Sequence, residues 1–386
     1  MKNWKKKCPK CFSRLKNQGI RTRKIHTGST GEAIVARYYY TCTNKRCDYS
    51  CIPLDQMLGI GSNYAAGTFE SKICFLAAEM PFANVCRYLE TQDEIKISQT
   101  MVRNTAETYG SAIIAKESQE YLLNVKQETD TLYGQIDGSM VRIETGSEEG
   151  LQVEFKECKL GIFYRQQDIL EKEYTQKNRK KTDSNILNKK FVSSIGKGVG
   201  DFEAKWLSKI KSYSFKQLVM LSDGAVWIDN LISRNFPNAI HILDWYHAVE
   251  HLWTCAKDIF GDDNISKLTS FVEPLKKIMW DGDIELLCNT ILKQMKRYPQ
   301  KQTQLRELYS YYSTRKEKMR YKEFRKAGFA IGSGSIESAN KYLVQKRLKG
   351  AGMKWSIPVA EAILKIREKI YEKSYDFRQK TERLNF

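Results

Sequence analysis

The chain has 386 residues, with 64 Lys and Arg against 45 Asp and Glu and a formal net charge of +19. That length holds two or three domains, and the surplus of positive charge favours a polyanionic partner, nucleic acid first. No run approaches the ~18 apolar residues of a membrane-spanning helix. Met1-Lys-Asn-Trp-Lys-Lys-Lys7 leads straight into cysteines and not into an apolar signal segment, so the expectation is a cytoplasmic, nucleoid-associated protein with no membrane role.

The first segment, 1–56, is rich in Cys and Tyr. Cys8-x-x-Cys11 and Cys42-x-x-x-x-Cys47 flank Ala33-Ile-Val-Ala-Arg-Tyr-Tyr-Tyr-Thr41, which reads as a strand. Two short Cys pairs about thirty residues apart have the layout of a zinc ribbon. Zinc favours four thiolates in a tetrahedron, and a site closed in that way is structural. Cys8, Cys11, Cys42 and Cys47 are the expected ligands, with Cys51 an alternative to Cys47 and His26 a further substitute. Cys74, Cys86, Cys158, Cys255 and Cys288 are scattered, which fits buried free thiols and not a disulfide framework.

Residues 57–128 carry helical spacing. Phe75–Met80 and Phe82–Leu89 read as two short helices, and Ser98–Tyr109 as a third with Ser98 at its N-cap. The layout is that of a helix-turn-helix, with Gln99, Arg103 and Asn104 placed to meet base edges; a plain helical hairpin has the same pattern.

The core, 129–247, changes character. Leu132–Ile143, Phe155–Tyr164, Phe191–Ile195, Gln217–Ser222 and Ala239–Leu243 read as strands, and Asp201–Tyr213 and Gly224–Phe236 as helices. Adjacent strands followed by strand–helix alternation predict an α/β fold with a mixed sheet and helices on both faces. Residues 171–190 are polar and basic and read as an excursion or flexible loop, lying along a phosphate backbone or simply solvated. Gly196–Gly200 reads as a turn. Residues 248–330 are an all-helical insertion. The closing stretch, 331–386, holds a helix opening near Glu337, a basic helix to Leu348, a Gly-rich basic loop and a charged helix to about 380. Lys346, Arg347, Lys349 and Lys354 are candidate DNA contacts, and Trp355 a candidate to stack on an unpaired base.

Three acids carry the chemistry. Asp137 and Asp223 end apolar runs, and Glu337 opens a helix. Carboxylates in this order suit paired Mg²⁺ or Mn²⁺ ions about 3.5–4 Å apart, which drive in-line attack on phosphate esters. Each acid also has a structural reading, since both Asp residues precede Gly and Glu337 sits in a first helical turn. Asp244-Trp-Tyr-His247 follows the last strand; Asp244 reads as a helix cap or a site residue, and His247 as a group that holds the scissile phosphate or protonates a leaving oxygen, or as a core histidine.

Together, Ser222-Asp-Gly-Ala-Val-Trp-Ile228, Phe236-Pro237, Ile242-Leu-Asp-Trp-Tyr-His-Ala-Val-Glu-His251, Ile331-Gly-Ser-Gly-Ser-Ile-Glu-Ser338 and Arg347-Leu-Lys-Gly-Ala-Gly-Met-Lys-Trp355 resemble a bacterial insertion-sequence transposase of the Kra-type group, related to the Mutator-like superfamily. The resemblance covers most of the chain from about residue 131. It implies an RNase H-like core with Asp137, Asp223 and Glu337 as its acid triad, Asp244 and His247 as an Asp-x-x-His signature, and 248–330 as the insertion between the second Asp and the Glu. The implied activity is cleavage and joining of double-stranded DNA, at element ends and target, by a homodimer or higher assembly. A structure-specific nuclease on the same core and a non-catalytic DNA-binding regulator are the rival readings.

Overall fold

A computed structural model describes residues 7–27, 31–58, 67–120, 126–147, 150–176 and 179–374. In chain order the elements are β1 (Leu15–Thr27), β2 (Gly31–Cys42), β3 (Ser50–Cys51), α1 (Pro53–Leu58), α2 (Gly67–Glu79), α3 (Phe82–Asp93), α4 (Gln99–Glu120), β4 (Gln127–Ser147) and β5 (Gly150–Arg165). Then come β6 (Ile169–Gln176), β7 (Arg179–Ile186), β8 (Lys190–Ile195), α5 (Gly198–Ile210), β9 (Tyr213–Ser222), α6 (Val226–Asn235), β10 (Ile240–Leu243) and α7 (Trp245–Phe260). The rest is helical: α8 (Ile265–Trp280), α9 (Ile284–Arg297), α10 (Gln302–Ser313), α11 (Tyr321–Lys326), α12 (Gly334–Ala339), α13 (Lys346–Leu348) and α14 (Ile357–Tyr371). The contacts divide the chain into two compact units. One comprises Met1–Glu120, Ile143–Val153 and Gly350–Phe386, the other Tyr121–Arg142 and Glu154–Lys349.

In the first unit, β1 and β2 form a long antiparallel hairpin with β3 added beside β2. Ser98 caps α4 as its sequence predicts, its hydroxyl accepting the Met101 N–H at 3.1 Å. α4 runs well past Tyr109 because α14 packs along it. The two helices touch so closely that a Cβ on Gly110 would lie 2.5 Å from the Ala362 backbone. The closing helix, read from sequence together with the Glu337 segment, therefore belongs to this unit; its expected extension to about 380 lies outside the described residues.

The second unit is built on a five-stranded mixed sheet in the order β10-β9-β4-β5-β8. β4, β9 and β10 are parallel, and β8 is antiparallel to β5. Alternation sends Leu132 and Ile136 to one face, where they join Phe163, Phe202, Trp206, Met220 and Leu231 in a buried core. Gly161 leaves the slot that Trp206 fills, since a Cβ there would fall 2.1 Å from the indole. Tyr133, Gln135 and Asp137 alternate to the opposite face, where Tyr133 stacks on Tyr164 at 5.0 Å.

Two expectations need correction. Asp137 does not end its strand: β4 continues to Ser147, and what stops near Asp137 is its pairing with β9. Residues 171–190 are not an irregular loop. β6 and β7 pair with each other in register from Ile169↔Ile186 to Gln176↔Arg179, as a separate two-stranded sheet. The sequence there lacks the apolar alternation that marks a strand with one buried face, so pattern reading passed over it. Of the basic run Lys177–Lys181, residues 177–178 lie outside the described residues.

Candidate functional site

The sheet register brings the acids of the second unit together. β4 and β9 pair through Gln135↔Leu221, and continuing that register by two residues sets Asp137 beside Asp223. β9 and β10 pair through Ser222↔Leu243, so the next step sets Asp223 beside Asp244; the Asp244 N–H donates to the Ser222 carbonyl at 2.8 Å. Three carboxylates thus form a row where three adjacent parallel strands cease to pair. The carboxyl ends of parallel strands are where α/β sheets bind ligands.

Glu337 reaches this row on α12, which is tied to the strands by buried polar bonds. Gln135 accepts the Ile336 N–H at 3.0 Å and donates its own amide to Tyr164 Oη at 2.8 Å. Asp244 Oδ1 accepts the Ser333 N–H at 2.5 Å. Gly332 allows the approach, because a Cβ there would sit 2.9 Å from the Tyr246 ring. One turn past Glu337, Asn340 Nδ2 donates to Asp137 Oδ2 at 2.8 Å. A π-helical stretch, Asn340–Gln345, begins there; such stretches are frequent at functional sites.

Asp137, Tyr246, His247, Glu250, Glu337, Asn340, Lys341 and Gln345 line an open cleft of about 450 Å³. Burial raises the pKa of Asp137, against the opposing donors Asn340 and the Gly138 N–H. Asp223 is half-buried, and its Oδ1 accepts the Ala225 N–H at 2.9 Å. His247 Nδ1 faces Asp244 Oδ2 at 2.9 Å, and this bond raises its pKa to about 9.

Ligand atoms of Asp244, His247 and Glu337 lie within 4.8 Å of one another, a spacing that could hold a metal. Asp244 is the weak member of that group. It is fully buried, it caps α7 through the His247 N–H at 2.8 Å, and its other oxygen is taken by Ser333. Its local bonds fit a residue that orients His247 and anchors α12. Asp137 and Glu337 are better disposed towards a hard cation, being oxygen donors that face an open cleft. A cation there would also offset the burial that Asp137 experiences.

In the first unit, the sulfurs of Cys8, Cys11, Cys42 and Cys47 lie within 4.8 Å of one another and could hold a metal. Cys8 and Cys47 are 3.7 Å apart, and Cys11 and Cys42 3.4 Å. Four thiolates about 2.3 Å from one zinc would stand roughly 3.8 Å apart. Tight turns present them. The Cys8 N–H donates to Ser13 O and the Phe12 N–H to Cys8 O, while the Cys42 N–H donates to Tyr49 O and the Cys47 N–H to Asn44 O. Cys51 lies outside this group and packs with Leu15 in the small core beneath. The His26 side chain lies outside the described residues.

The candidate DNA contacts separate. Gln99, Arg103 and Asn104 are exposed on α4, and Lys346 and Lys349 are exposed in the second unit. Lys354 is exposed and pairs with Glu144 at 2.7 Å. Arg347 and Trp355 do not fit the expectation, because both are buried. Trp355 meets Phe82 edge-on at 5.9 Å, and its carbonyl accepts the Glu144 N–H at 2.7 Å. A ring covered in this way cannot take a base on its face; the Gly-rich basic loop around it gave no sign of that burial.

Sequence reading missed Gln135 and Asn340. Their signals were slight: an amide among apolar strand residues, and an Asn one turn beyond Glu337. No protein-family model matches this chain, and no curated protein matches it either. Among the described residues, no helix is long and apolar enough to cross a membrane.

Proposed function

We propose that this protein is a DNA transposase that binds the ends of its own element, cuts them and joins them to a target. The observation that carries the reading is the row of acids where β4, β9 and β10 cease to pair, with Glu337 tied above it through Gln135 and Asn340. The strand order, with three parallel strands beside an antiparallel pair, supports an RNase H-like core. The resemblance of the motifs around Asp223, Asp244 and Glu337 to insertion-sequence transposases supports the specific activity. The net charge of +19 suits a DNA partner.

Asp137, Asp223 and Glu337 would hold Mg²⁺ or Mn²⁺, which would supply an activated nucleophile and neutralise charge on the leaving oxygen. His247, held as a cation by Asp244, presents its other ring nitrogen for a phosphate oxygen or for proton delivery to the leaving group. Exposed Lys346 and Lys349 would contact the DNA backbone. α3 and α4, with Gln99, Arg103 and Asn104 exposed near the start of the second helix, would act as a helix-turn-helix reader. The four cysteines would bind a structural zinc. Bringing two DNA ends together calls for a dimer or higher assembly.

The test is incubation of the full-length protein with a labelled duplex spanning its element end, with Mg²⁺ or with chelator, beside Asp223→Ala. Metal-dependent nicking and joining at the end, absent from the variant, is the expected result. Nicking without joining would favour a structure-specific nuclease. Binding without either reaction would favour a regulator.

A further inference from the structure

The loop that carries Asp223 is held from outside the sheet. Tyr311, on α10, donates its hydroxyl to the Asp223 carbonyl at 3.1 Å. Arg315, just beyond the end of α10, donates Nη2 to the Gly224 carbonyl at 2.9 Å. The two side chains support each other. Arg315 Nη1 donates to the Tyr311 carbonyl at 3.1 Å, and its guanidinium lies 4.4 Å from the centre of the Tyr311 ring. That ring also packs on His251, with centroids 3.8 Å apart. Burial raises the Tyr311 pKa, so the phenol keeps the proton it donates.

Gly224 shows how closely the latch fits. Its φ of +85° is one that side-chain-bearing residues rarely adopt. A Cβ there would stand 2.8 Å from Leu243 Cδ1, 2.9 Å from Arg315 Nε and 3.4 Å from Tyr311 Oη. The Asp223 carboxylate is fixed by its own loop through Ala225, and its carbonyl is fixed by a residue 88 positions later in the chain.

We propose that Tyr311 and Arg315 are positioning residues for the metal-binding carboxylate of Asp223. The helical segment between β10 and α12 is then part of the catalytic apparatus. Its α10 end sets the peptide orientation at Asp223 and, through it, the direction of the carboxylate. Both side chains act on backbone carbonyls and not on the Asp223 carboxylate. Displacements of ~1 Å at a reacting centre can cost about 10²-fold in rate, so the two donors that hold this peptide bear on how well the carboxylate is placed. This inference rests on the reading of Asp137, Asp223 and Glu337 as cation ligands.

The experiment uses full-length protein, with Tyr311→Phe, Arg315→Lys and Asp223→Ala beside wild type. Tyr311→Phe removes one hydroxyl and keeps the ring that packs on His251. Mn²⁺ binding without DNA is followed by the loss of the free-ion electron paramagnetic resonance signal. Mg²⁺ dependence of duplex cleavage and thermal melting are measured in parallel. Loss of one neutral hydrogen bond predicts an Mn²⁺ affinity about five-fold weaker in Tyr311→Phe, with cleavage recovered at high Mg²⁺. Arg315→Lys should shift the same way, because an ammonium cannot reproduce the planar fork. Unchanged Mn²⁺ affinity in Tyr311→Phe overturns the proposal, whether or not the melting temperature falls, since the contact would then be structural only. Wild type binding Mn²⁺ no better than Asp223→Ala overturns the ligand reading itself, a distinct outcome.

Discussion

The four-cysteine cluster and the acidic cleft are both places where a metal could sit, and they are built on opposite principles. The cysteines are presented by turns at the base of a hairpin, and their sulfurs close on one another within 4.8 Å. Four soft ligands leave no position for a substrate, so such a centre supplies folding energy and no chemistry. The acids are presented by a sheet that would exist without them. The strands are buried on the core side, and Asp137 from β4 and Glu337 from α12 line an open cleft of about 450 Å³. A site of that kind keeps room for a phosphate and tolerates loss of its metal without unfolding.

That contrast predicts opposite consequences of substitution. The largest effect is expected at Glu337→Gln. On the proposed function, cleavage should fall by roughly a thousand-fold or more, because the proposed role of Glu337 as a metal ligand would contribute several kcal/mol to the transition state, while melting temperature and DNA affinity in chelator stay close to wild type. A fully active variant would remove Glu337 from the site. Cys42→Ser should do the reverse. Bound zinc, read by elemental analysis, should drop by one ion per chain, and limited proteolysis should open the β1–β2 hairpin, since such a small segment relies on its metal to fold. Zinc content unchanged from wild type would contradict the assignment.

A smaller loss separates packing from DNA contact. Trp355→Ala should lower stability by about 3–5 kcal/mol, as removal of a buried Trp does, with no selective effect on distorted DNA. Lys346→Ala and Lys349→Ala should leave stability alone and each reduce the slope of log affinity against log salt by about 0.9. A flat salt response in the wild type would argue against backbone-led binding.

The smallest expected effect concerns pH. Burial lowers the pKa of His241, on β10, to about 4. The unfolded chain takes up this proton below about pH 6.5 and the folded chain does not until about pH 4. Its neutral burial therefore costs no stability above pH 6.5, and stability falls between pH 6.5 and 4, by about 3 kcal/mol. His241→Asn should flatten that part of the denaturation profile; an unaltered slope would show that another group is responsible.

The sequence revealed those features whose signals are local. Ser98 and Asp244 read as caps because a cap is a short-range bond, and both make it. The five strands of the main sheet announced themselves by apolar runs, and Asp223 and Asp244 by their places at the ends of such runs. The contacts that assemble the cleft were not legible. Gln135 meets Ile336 from 201 positions away, and Tyr311 meets Asp223 from 88. No periodicity encodes such a pairing. Trp355 failed for a related reason: glycines and lysines around it describe the loop, and the ring that covers it, Phe82, lies far back in the chain. The β6–β7 hairpin escaped because pattern reading recognises strands by a buried face.

The most direct test is a crystal of the protein soaked in Mn²⁺ and measured for anomalous scattering at the manganese edge. Density is expected between Asp137 and Asp223, with Glu337 in reach, and none bound through Asp244. Density coordinated by Asp244 and His247, with Asp137 and Asp223 left aside, would contradict that expectation.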